Sequence, residues 1–464
     1  MRTILSILTI LFLSSCLFAA KEPPADANAI AVTVYNANFG VVKEQRPIVF
    51  DKGLNTIRFT DVASSIDATS VSFQCLSAPG KIAILEQNYE YDLVGTSSLL
   101  NRYLDKSVSV SVKGSGADKG NLVNGTLLAA RDNNLIIKND SGMIEIISEG
   151  SIDNISLKQL PGDLVTKPTL VWLAQSETKG QERCQVTYTT SDISWKADYS
   201  AILNDAENAF DISGWVTIDN KSGAAYKDAK IKLIAGDVRR IEEPQVIREM
   251  MKYRAAGMAA EAAPFEEKPF MEYHIYTLGR PSTINNNQTK QIEFITPVQN
   301  VPAKKIYLYE RDKNDKKVQI KFEFENKKET GLGMALPKGK VRVFKKDTDG
   351  SLEFVGEDLI DHTPKDEKLS IYIGDAFDIA VEYKAVDQKV DRRTRWDKHS
   401  IELRNRKDSA VTVFVDEKFP SWVNWKIEES THPYVKKNAT TARFTVEIAA
   451  NATATLEYSA TQKW

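Results

Sequence analysis

Apolar and polar residues alternate with a period of two along most of the chain. Ile30, Val32 and Val34 begin this alternation, and the stretch 442–448 still shows it near the other end. A period of two is typical of β-strands that bury one face. Turn residues such as Asp51-Lys52-Gly53 separate the alternating segments. The pattern therefore predicts an all-β protein.

The spacing of these segments predicts four β units. They are an N-terminal β domain at 29–92, a small β-barrel at 93–162, an antiparallel β-sandwich at 168–240 and a larger C-terminal antiparallel β-sandwich at 273–464. A short helical turn is predicted at 99–104. The barrel has neither stacking aromatics nor a basic stripe, so we interpret it as a structural spacer rather than a ligand-binding barrel.

The segment 241–272 interrupts the strand pattern. Its part between Val246 and Ala260 is rich in Ala, Met, Glu and Arg, which favour helices, and Pro264 follows. We predict a linker that carries one short surface helix.

The first twenty residues have the organisation of an export signal. Arg2 precedes a run of apolar residues at 4–13 that is shorter than the roughly 20 residues needed to span a bilayer. Leu13-Ser14-Ser15-Cys16 fits the lipobox of bacterial lipoproteins, in which the cysteine is acylated. We therefore predict a signal peptide at 1–20, a lipid anchor on Cys16 and a polar, Pro-rich tether at 21–28.

Two other interpretations of this segment stay open. The first is ordinary cleavage near Ala19 or Ala20, which would give a secreted or periplasmic protein, and the second is an uncleaved anchor. All three imply export, so we expect a protein of the bacterial envelope or its surroundings.

Composition and charge narrow the range of partners. The 464 residues include 61 Lys and Arg against 63 Asp and Glu, which gives a net charge of -2. Because nucleic-acid binding requires a clustered basic excess, we expect no nucleic-acid partner. The expected partners are an envelope protein or polysaccharide, and the membrane through the lipid on Cys16.

Two cysteines remain beyond the signal. Cys75 and Cys184 each lie on the apolar face of an alternating segment. The sequence favours two buried small hydrophobic residues. A Cys75–Cys184 disulfide is the alternative in an oxidising compartment, because sequence alone does not fix the distance between the two Cα atoms.

Aromatic residues supply the candidates for ligand contact. Trp422 and Trp425 lie near a proline-bearing turn, and Trp396 lies in the mixed-charge segment 391–398, which we interpret as a loop. The alternative is that Trp422 and Trp425 fill the end of the sandwich. Trp195 and Tyr199 are predicted to belong to a sandwich core.

No catalytic residues, metal site or cofactor are indicated. The four histidines are scattered without metal-type spacing, and the motifs of nucleophilic hydrolases, zinc proteases and phosphate loops do not occur. Carboxylates are abundant, but no sequence feature selects a pair with the separation that a glycosidase needs.

Several longer motifs resemble a known family. The segments 35–42, 62–72, 85–93, 188–199, 214–223 and 233–236 are similar to bacterial exported proteins whose core is called domain of unknown function 4139. The resemblance runs from about residue 30 to the end. It implies no activity and no catalytic residues. A more distant resemblance to mucoidy-inhibitor proteins implies a link to envelope exopolysaccharide, although their long coiled-coil insertion does not occur here.

Together these observations predict a non-enzymatic exported protein of the cell envelope that serves as a binding, assembly or structural module. The alternative is a carbohydrate-active or other hydrolase of the envelope, which would require a cleft with clustered acidic residues. A structural spacer without any ligand is the third interpretation.

Overall fold

The computed structural model describes residues 29–91, 96–113, 121–158, 167–236, 238, 265–270, 273–313 and 316–464. In these ranges the chain forms 29 strands, one α-helix and two single-turn 3-10 helices, Glu149–Ser151 and Lys328–Thr330. The predicted all-β class is confirmed. The signal peptide with Cys16, the tether at 21–28 and the helix predicted between Val246 and Ala260 lie outside the described residues.

The elements have the following bounds. The first part contains β1 (Ala29–Tyr35), β2 (Phe39–Phe50), β3 (Gly53–Thr60), β4 (Ile66–Cys75), β5 (Ile82–Glu90), α1 (Thr96–Arg102), β6 (Ser107–Val112), β7 (Asn121–Arg131), β8 (Asn134–Asn139), β9 (Ile144–Ser148) and β10 (Ile152–Ser156). The middle part contains β11 (Thr169–Ser176), β12 (Gly180–Ser191), β13 (Ile193–Leu203), β14 (Ala209–Asn220), β15 (Tyr226–Ala235), β16 (Phe265–Phe270), β17 (Tyr273–Leu278), β18 (Ser282–Ile284) and β19 (Gln288–Glu310). The last part contains β20 (Lys317–Glu325), β21 (Gly339–Lys346), β22 (Leu352–Ile360), β23 (Lys368–Asp391), β24 (Thr394–Asn405), β25 (Val411–Lys418), β26 (Asn424–Ser430), β27 (Tyr434–Asn438), β28 (Thr441–Ile448) and β29 (Thr453–Lys463).

The first sheet combines strands from distant parts of the sequence. Its order is β16-β17-β15-β1-β2-β12-β4, with β18 paired to β15. β1 runs parallel to β15, with Val32 opposite Ile231. Val32 and Val34 are fully buried because alternate side chains of β1 face the core. Strands from 29–92 and from 168–240 thus belong to one sheet.

A three-stranded sheet, β3-β11-β5, packs against the first sheet. Trp172 on β11 is fully buried between Phe59 on β3, 5.4 Å away between ring centroids, and Phe73 on β4, 5.5 Å away. Because β4 belongs to the first sheet, these ring contacts join the two sheets face to face. Burial of such aromatics supplies much of the stability of a sandwich.

A five-stranded antiparallel sheet with its own core follows the order β10-β6-β7-β8-β9. The helix α1 covers one side of this core with Leu100, and Tyr103 follows directly. This helix confirms the helical turn predicted from the sequence at that place. β9 and β10 lie at the two edges of the sheet.

The largest sheet contains 13 strands and contributes to two cores. Its first half packs on the first sheet, where the Trp195 indole donates a hydrogen bond to the Ile234 carbonyl, 3.1 Å away. Trp195 and Tyr199 are both buried, as predicted. The long strand β19 continues from this region into the C-terminal one, where its end runs parallel to β25.

The C-terminal core lies between two groups of strands. On one side are β23, β24, β29 and β26, and on the other β25, β28 and β27. Phe444 on β28 meets Tyr458 on β29 with 4.7 Å between ring centroids, and both rings are fully buried. One end of this C-terminal unit carries the tryptophans that the sequence indicates as candidates.

Candidate functional site

Two exposed indoles meet at the end of the C-terminal unit. Trp422 lies in the turn between β25 and β26, and Trp464 follows β29 directly. Pairing of Asn424 with Lys463 brings the two segments side by side. The rings stand edge to face, with centroids 6.0 Å apart and an interplanar angle of 75°. Trp422 is 68% exposed and Trp464 is 47% exposed. We call these two residues the indole pair.

Trp425 packs against the C-terminal core next to this turn. Its ring stacks on Phe419, with centroids 4.5 Å apart, and its Nε1 donates a hydrogen bond to the Ala439 carbonyl at 2.7 Å. The Lys436 ammonium lies 4.7 Å from the ring centroid on one side. Trp425 is half-buried and packs against the C-terminal core. It therefore fills the end of the sandwich, which is one of the two roles that the sequence allows.

Trp396 is separated from the other candidates by the register of the sheet. It pairs with Thr461 of β29, whereas Trp425 pairs with Gln462. Because successive residues of a strand point to opposite faces, Trp396 and Trp425 lie on opposite faces of the sheet. The Lys389 ammonium covers Trp396 at 4.9 Å from the ring centroid.

The prediction of a mixed-charge loop at 391–398 around Trp396 is wrong. The residues from Thr394 onwards form β24, which pairs with β23 up to Asp391, so only Arg392 and Arg393 make the turn. The alternation of exposed and buried residues continues through Trp396 into Asp397, which is buried. The physical reason is that Arg395 neutralises Asp397, with Nε 2.7 Å from the carboxylate, so that this strand end can be covered.

The surroundings of the indole pair are polar and basic. The backbone N–H of Trp464 donates to the Arg393 carbonyl at 3.2 Å, which brings the exposed Arg392–Arg393 turn next to the pair. Lys463 is also exposed. The surface thus combines two π systems with cationic side chains.

A buried ion pair lies deeper in the same unit. Asp416 on β25 accepts two hydrogen bonds from Arg443 on β28, at 2.6 Å from Nε and 2.8 Å from the terminal nitrogen. Lys437 adds a third contact at 3.1 Å. The hydrogen bond to Asp416 raises the pKa of Arg443 above its ordinary value. Such bidentate pairing fixes the position of both groups.

A second buried carboxylate points to the opposite side of β25. Glu417 accepts hydrogen bonds from Arg311 at 2.8 Å and from the Tyr458 hydroxyl at 2.7 Å. His399 lies beside them, hydrogen-bonded through Nδ1 to the Tyr383 hydroxyl at 2.8 Å. Burial, together with the charge of Arg311, lowers the pKa of His399 despite the nearby carboxylates.

Glu310, at the end of β19, is the third carboxylate of this group. Its contacts are Lys313 at 2.9 Å, Lys418 at 3.2 Å and Lys321 at 3.6 Å. Burial alone would raise the pKa of Glu310, but the three ammonium groups outweigh it and lower the pKa to about 2. Each of these three carboxylates thus has at least one cationic partner within 4 Å.

The two remaining cysteines lie directly opposite each other. Cys184 on β12 pairs with Cys75 on β4 in the first sheet, and both side chains are buried with free thiols. Burial, together with the neighbouring thiol of Cys75, raises the pKa of the Cys184 thiol. Cys16 lies outside the described residues.

Other kinds of site find little support in the part of the chain that the structure describes. A cavity lies between Tyr199, Phe324 and Leu336, and apart from the Tyr199 hydroxyl, which donates to the Pro337 carbonyl at 2.8 Å, its lining is hydrocarbon. Within the described ranges, no group of three or more His, Cys, Asp or Glu residues could hold a metal ion. Across those same residues, no helix combines the length and apolar character needed to cross a bilayer.

Sequence reasoning missed Trp464, Asp416 and Glu417. For Trp464 the only signal is that it follows an alternating strand and continues the face of Gln462. For Glu417 the signal is sharper, because it continues the apolar positions Val413 and Val415 of β25. A charged residue at a core-facing position calls for a partner.

Comparison with known proteins assigns the chain to a family. The model of a domain of unknown function, DUF4139, matches residues 184–464, which is more than half of the chain. The chain therefore belongs to this family, and the match includes the segments 188–199, 214–223 and 233–236 of the resemblance seen in the sequence. No curated protein matches the chain.

Proposed function

We propose that this protein is a non-enzymatic, exported component of the bacterial cell envelope that binds an envelope polysaccharide at the indole pair. The single observation that carries the proposal is the exposure of Trp422 and Trp464 in one edge-to-face contact. Two large aromatic rings side by side leave apolar area in water that a partner would cover. Sugar rings, with their apolar C–H faces, fit the open faces of such indoles.

The polar neighbourhood favours a polysaccharide over a protein partner. Protein interfaces place their aromatic anchors inside a larger apolar patch that excludes water. Here the exposed neighbours are Ser421, Asn424 and Lys463, with the Arg392–Arg393 turn beside them. Isolated π faces among hydrogen-bond donors and cations suit sugar hydroxyls and acidic sugar groups.

The proposed export follows from the first twenty residues of the sequence. Their apolar run and the lipobox ending at Cys16 support a lipid anchor, and the tether at 21–28 would link that anchor to β1. Because acyl chains hold a protein at the membrane surface, the indole pair would work as a tethered binding surface.

The charges of the C-terminal unit support a binding role rather than hydrolysis. A glycosidase needs one carboxyl group with a raised pKa to donate a proton. Glu310 has a lowered pKa, and Asp416 and Glu417 each bind a fixed arginine. These three carboxylates therefore suit a structural role, and none of them favours the hydrolase alternative.

Co-sedimentation with isolated envelope polysaccharide tests the proposal. The purified chain without its signal should pellet with the polysaccharide, while the Trp422→Ala/Trp464→Ala variant should stay in the supernatant. Trp396→Ala is the matched control, because it removes an indole from the opposite face of the sheet. Binding that is equal in all three proteins, or release of shortened sugar products, would reject the proposed function.

A further inference from the structure

We propose that Cys75 and Cys184 form a cross-strand disulfide that fastens β4 to the family domain. The two residues are direct partners in the antiparallel pairing of β4 with β12. The residues 29–91, including Cys75, precede the family match, whereas Cys184 is its first residue. The bond would therefore connect the two parts of the chain.

The hydrogen-bond pattern shows whether Cys75 and Cys184 form a hydrogen-bonded or a non-hydrogen-bonded pair of the ladder. The Leu76 N–H donates to the Arg183 carbonyl at 2.8 Å, so Leu76 and Arg183 form a hydrogen-bonded pair. Antiparallel ladders alternate between hydrogen-bonded and non-hydrogen-bonded pairs, and Cys75 with Cys184 is the next pair. In non-hydrogen-bonded pairs the Cα atoms are about 4.5 Å apart, which is within the range that a disulfide spans.

The side chains also point to the same place. Partners in a ladder project to one face, and Cys75 and Cys184 are both buried in the core shared with Phe73 and Trp172. The contacts of the two sulfur atoms with other residues are weak ones, from Cys75 to the Ser77 hydroxyl at 4.0 Å and from the Cys184 thiol to the Glu182 carbonyl at 3.7 Å. Formation of the S–S bond would thus break no strong hydrogen bond.

The oxidation needs a disulfide-type oxidant and balances as two exchange steps. One cysteine thiolate attacks a sulfur of the oxidant, which breaks the oxidant's S–S bond, forms a mixed disulfide and releases the other oxidant sulfur as a thiolate. The thiolate of the second cysteine then attacks the cysteine sulfur of the mixed disulfide, forms the Cys75–Cys184 bond and releases the second oxidant sulfur, so that the oxidant has taken up two electrons. The two protons of the cysteines pass to the oxidant's sulfur atoms.

The environment of the two thiols determines when the disulfide can form. In the folded sheet the Cys184 thiol is buried and its pKa is raised, so it forms little thiolate. The exchange must therefore take place during folding, before β4 closes on β12. The inference takes only one element from the proposed function, namely an oxidising compartment after export.

The disulfide would have a clear structural effect. β4 is the edge strand of the first sheet, and its ladder with β12 already shifts register between Thr187 and Thr189. A cross-link that closes a loop of about a hundred residues removes much freedom from the unfolded chain. The disulfide would therefore keep β4 attached to β12, although their ladder is interrupted by this register shift.

Refolding of the purified chain with oxidised and reduced glutathione tests the inference without any cell. After refolding, the protein is denatured in a thiol-blocking maleimide and digested with trypsin. Cys75 lies in the tryptic peptide 59–81 and Cys184 in 184–196. We expect the two peptides joined in one species that separates on reduction. Full labelling of both cysteines by maleimide before any reduction would overturn the proposal.

Single and double variants complete the test. In the Cys75→Ser variant, Cys184 should be labelled fully under the same conditions. The Tm of the oxidised wild type should fall on reduction, whereas the Tm of Cys75→Ala/Cys184→Ala should not respond to reductant. A wild-type Tm that does not change on reduction would contradict the stabilising effect. A loss of polysaccharide binding is measured separately and does not affect these results.

Discussion

Arg443 holds Asp416 through two parallel hydrogen bonds, from Nε at 2.6 Å and from a terminal nitrogen at 2.8 Å. The pair joins β25 to β28, where Asp416 and Arg443 are direct ladder partners. The Asp416 side chain is almost completely covered, so its charge depends on this partner. The contact is thus a fixed element of the C-terminal unit that carries the indole pair.

Removal of the Asp416 charge should therefore destabilise the protein strongly. Asp416→Asn leaves the Arg443 charge partly buried without its counterion, and we expect a loss of about 3 kcal/mol in the free energy of unfolding. Denaturant unfolding followed by circular dichroism measures this. Lys437→Ala is the control, because the half-exposed Lys437 should contribute less than about 1 kcal/mol. Equal effects of the two variants would contradict the structural role of the pair.

Trp425 should matter for stability. Trp425→Ala removes the stack on Phe419 and the hydrogen bond to the Ala439 carbonyl. Because the ring is half-buried, we expect a loss of about 2 kcal/mol, below the range for fully buried aromatics. Trp422→Ala, at an exposed position, should cost about 1 kcal/mol or less. The order of the two unfolding midpoints checks this, and the reverse order would show that Trp425 is not a core residue.

His399 should make the protein less stable in mild acid. Its pKa in the folded state lies below the ordinary value of 6.5, mainly because of burial. Between these two pKa values the unfolded chain binds more protons than the folded one. The contribution of His399 to the free energy of unfolding is therefore complete above pH 6.5 and is lost as the pH falls towards the folded pKa. The contribution of one such group is at most about 1.4 kcal/mol per pH unit.

His399→Gln provides the comparison. Its free energy of unfolding should depend less on pH between 6.5 and 5 than that of the wild type, because the titrating ring is gone. Urea unfolding at several pH values within this interval measures the difference in slope. Identical slopes for the two proteins would show that His399 does not titrate as inferred.

The sequence predicts where the strands lie along the chain but not which strands pair with each other. Alternation identifies segments such as Val32 to Val34, because burial of one face imposes a period of two. It does not show that β1 pairs in parallel with β15, about two hundred residues further along. Such long-range pairing depends on which faces fit together in three dimensions. The interleaving of β4 with β12, which brings Cys75 opposite Cys184, is hidden for the same reason.

The candidate site was predictable from the sequence only in part, for the same reason. Trp422 and Trp425 are only three residues apart, yet one is exposed and the other packs on Phe419. Trp425 belongs to β26, whose register with β29 places its ring on the face opposite to Trp396, whereas Trp422 lies in the turn before β26. The pairing of Asn424 with Lys463 then brings Trp464 beside Trp422. Residue type alone therefore identified aromatic candidates but not the indole pair.

The proposed lipid anchor predicts a change in cellular location. Cys16→Ala removes the sulfur that would carry the acyl chains, so the processed protein should move from the membrane fraction to the soluble fraction. Fractionation of cells followed by immunoblotting measures this. Cys75→Ala is the control and should stay with the membranes. Unchanged membrane association of Cys16→Ala would reject acylation at this residue.

Calorimetric titration of the purified chain with isolated envelope polysaccharide tests the proposed binding surface directly. We expect saturable binding by the wild type and by Trp396→Ala. For Trp422→Ala/Trp464→Ala we expect a loss of at least tenfold in affinity, or about 1.4 kcal/mol or more, with an unchanged circular dichroism spectrum. Equal affinity of the double variant and the wild type, or no binding by the wild type, would contradict the claim that the indole pair is a polysaccharide-binding surface.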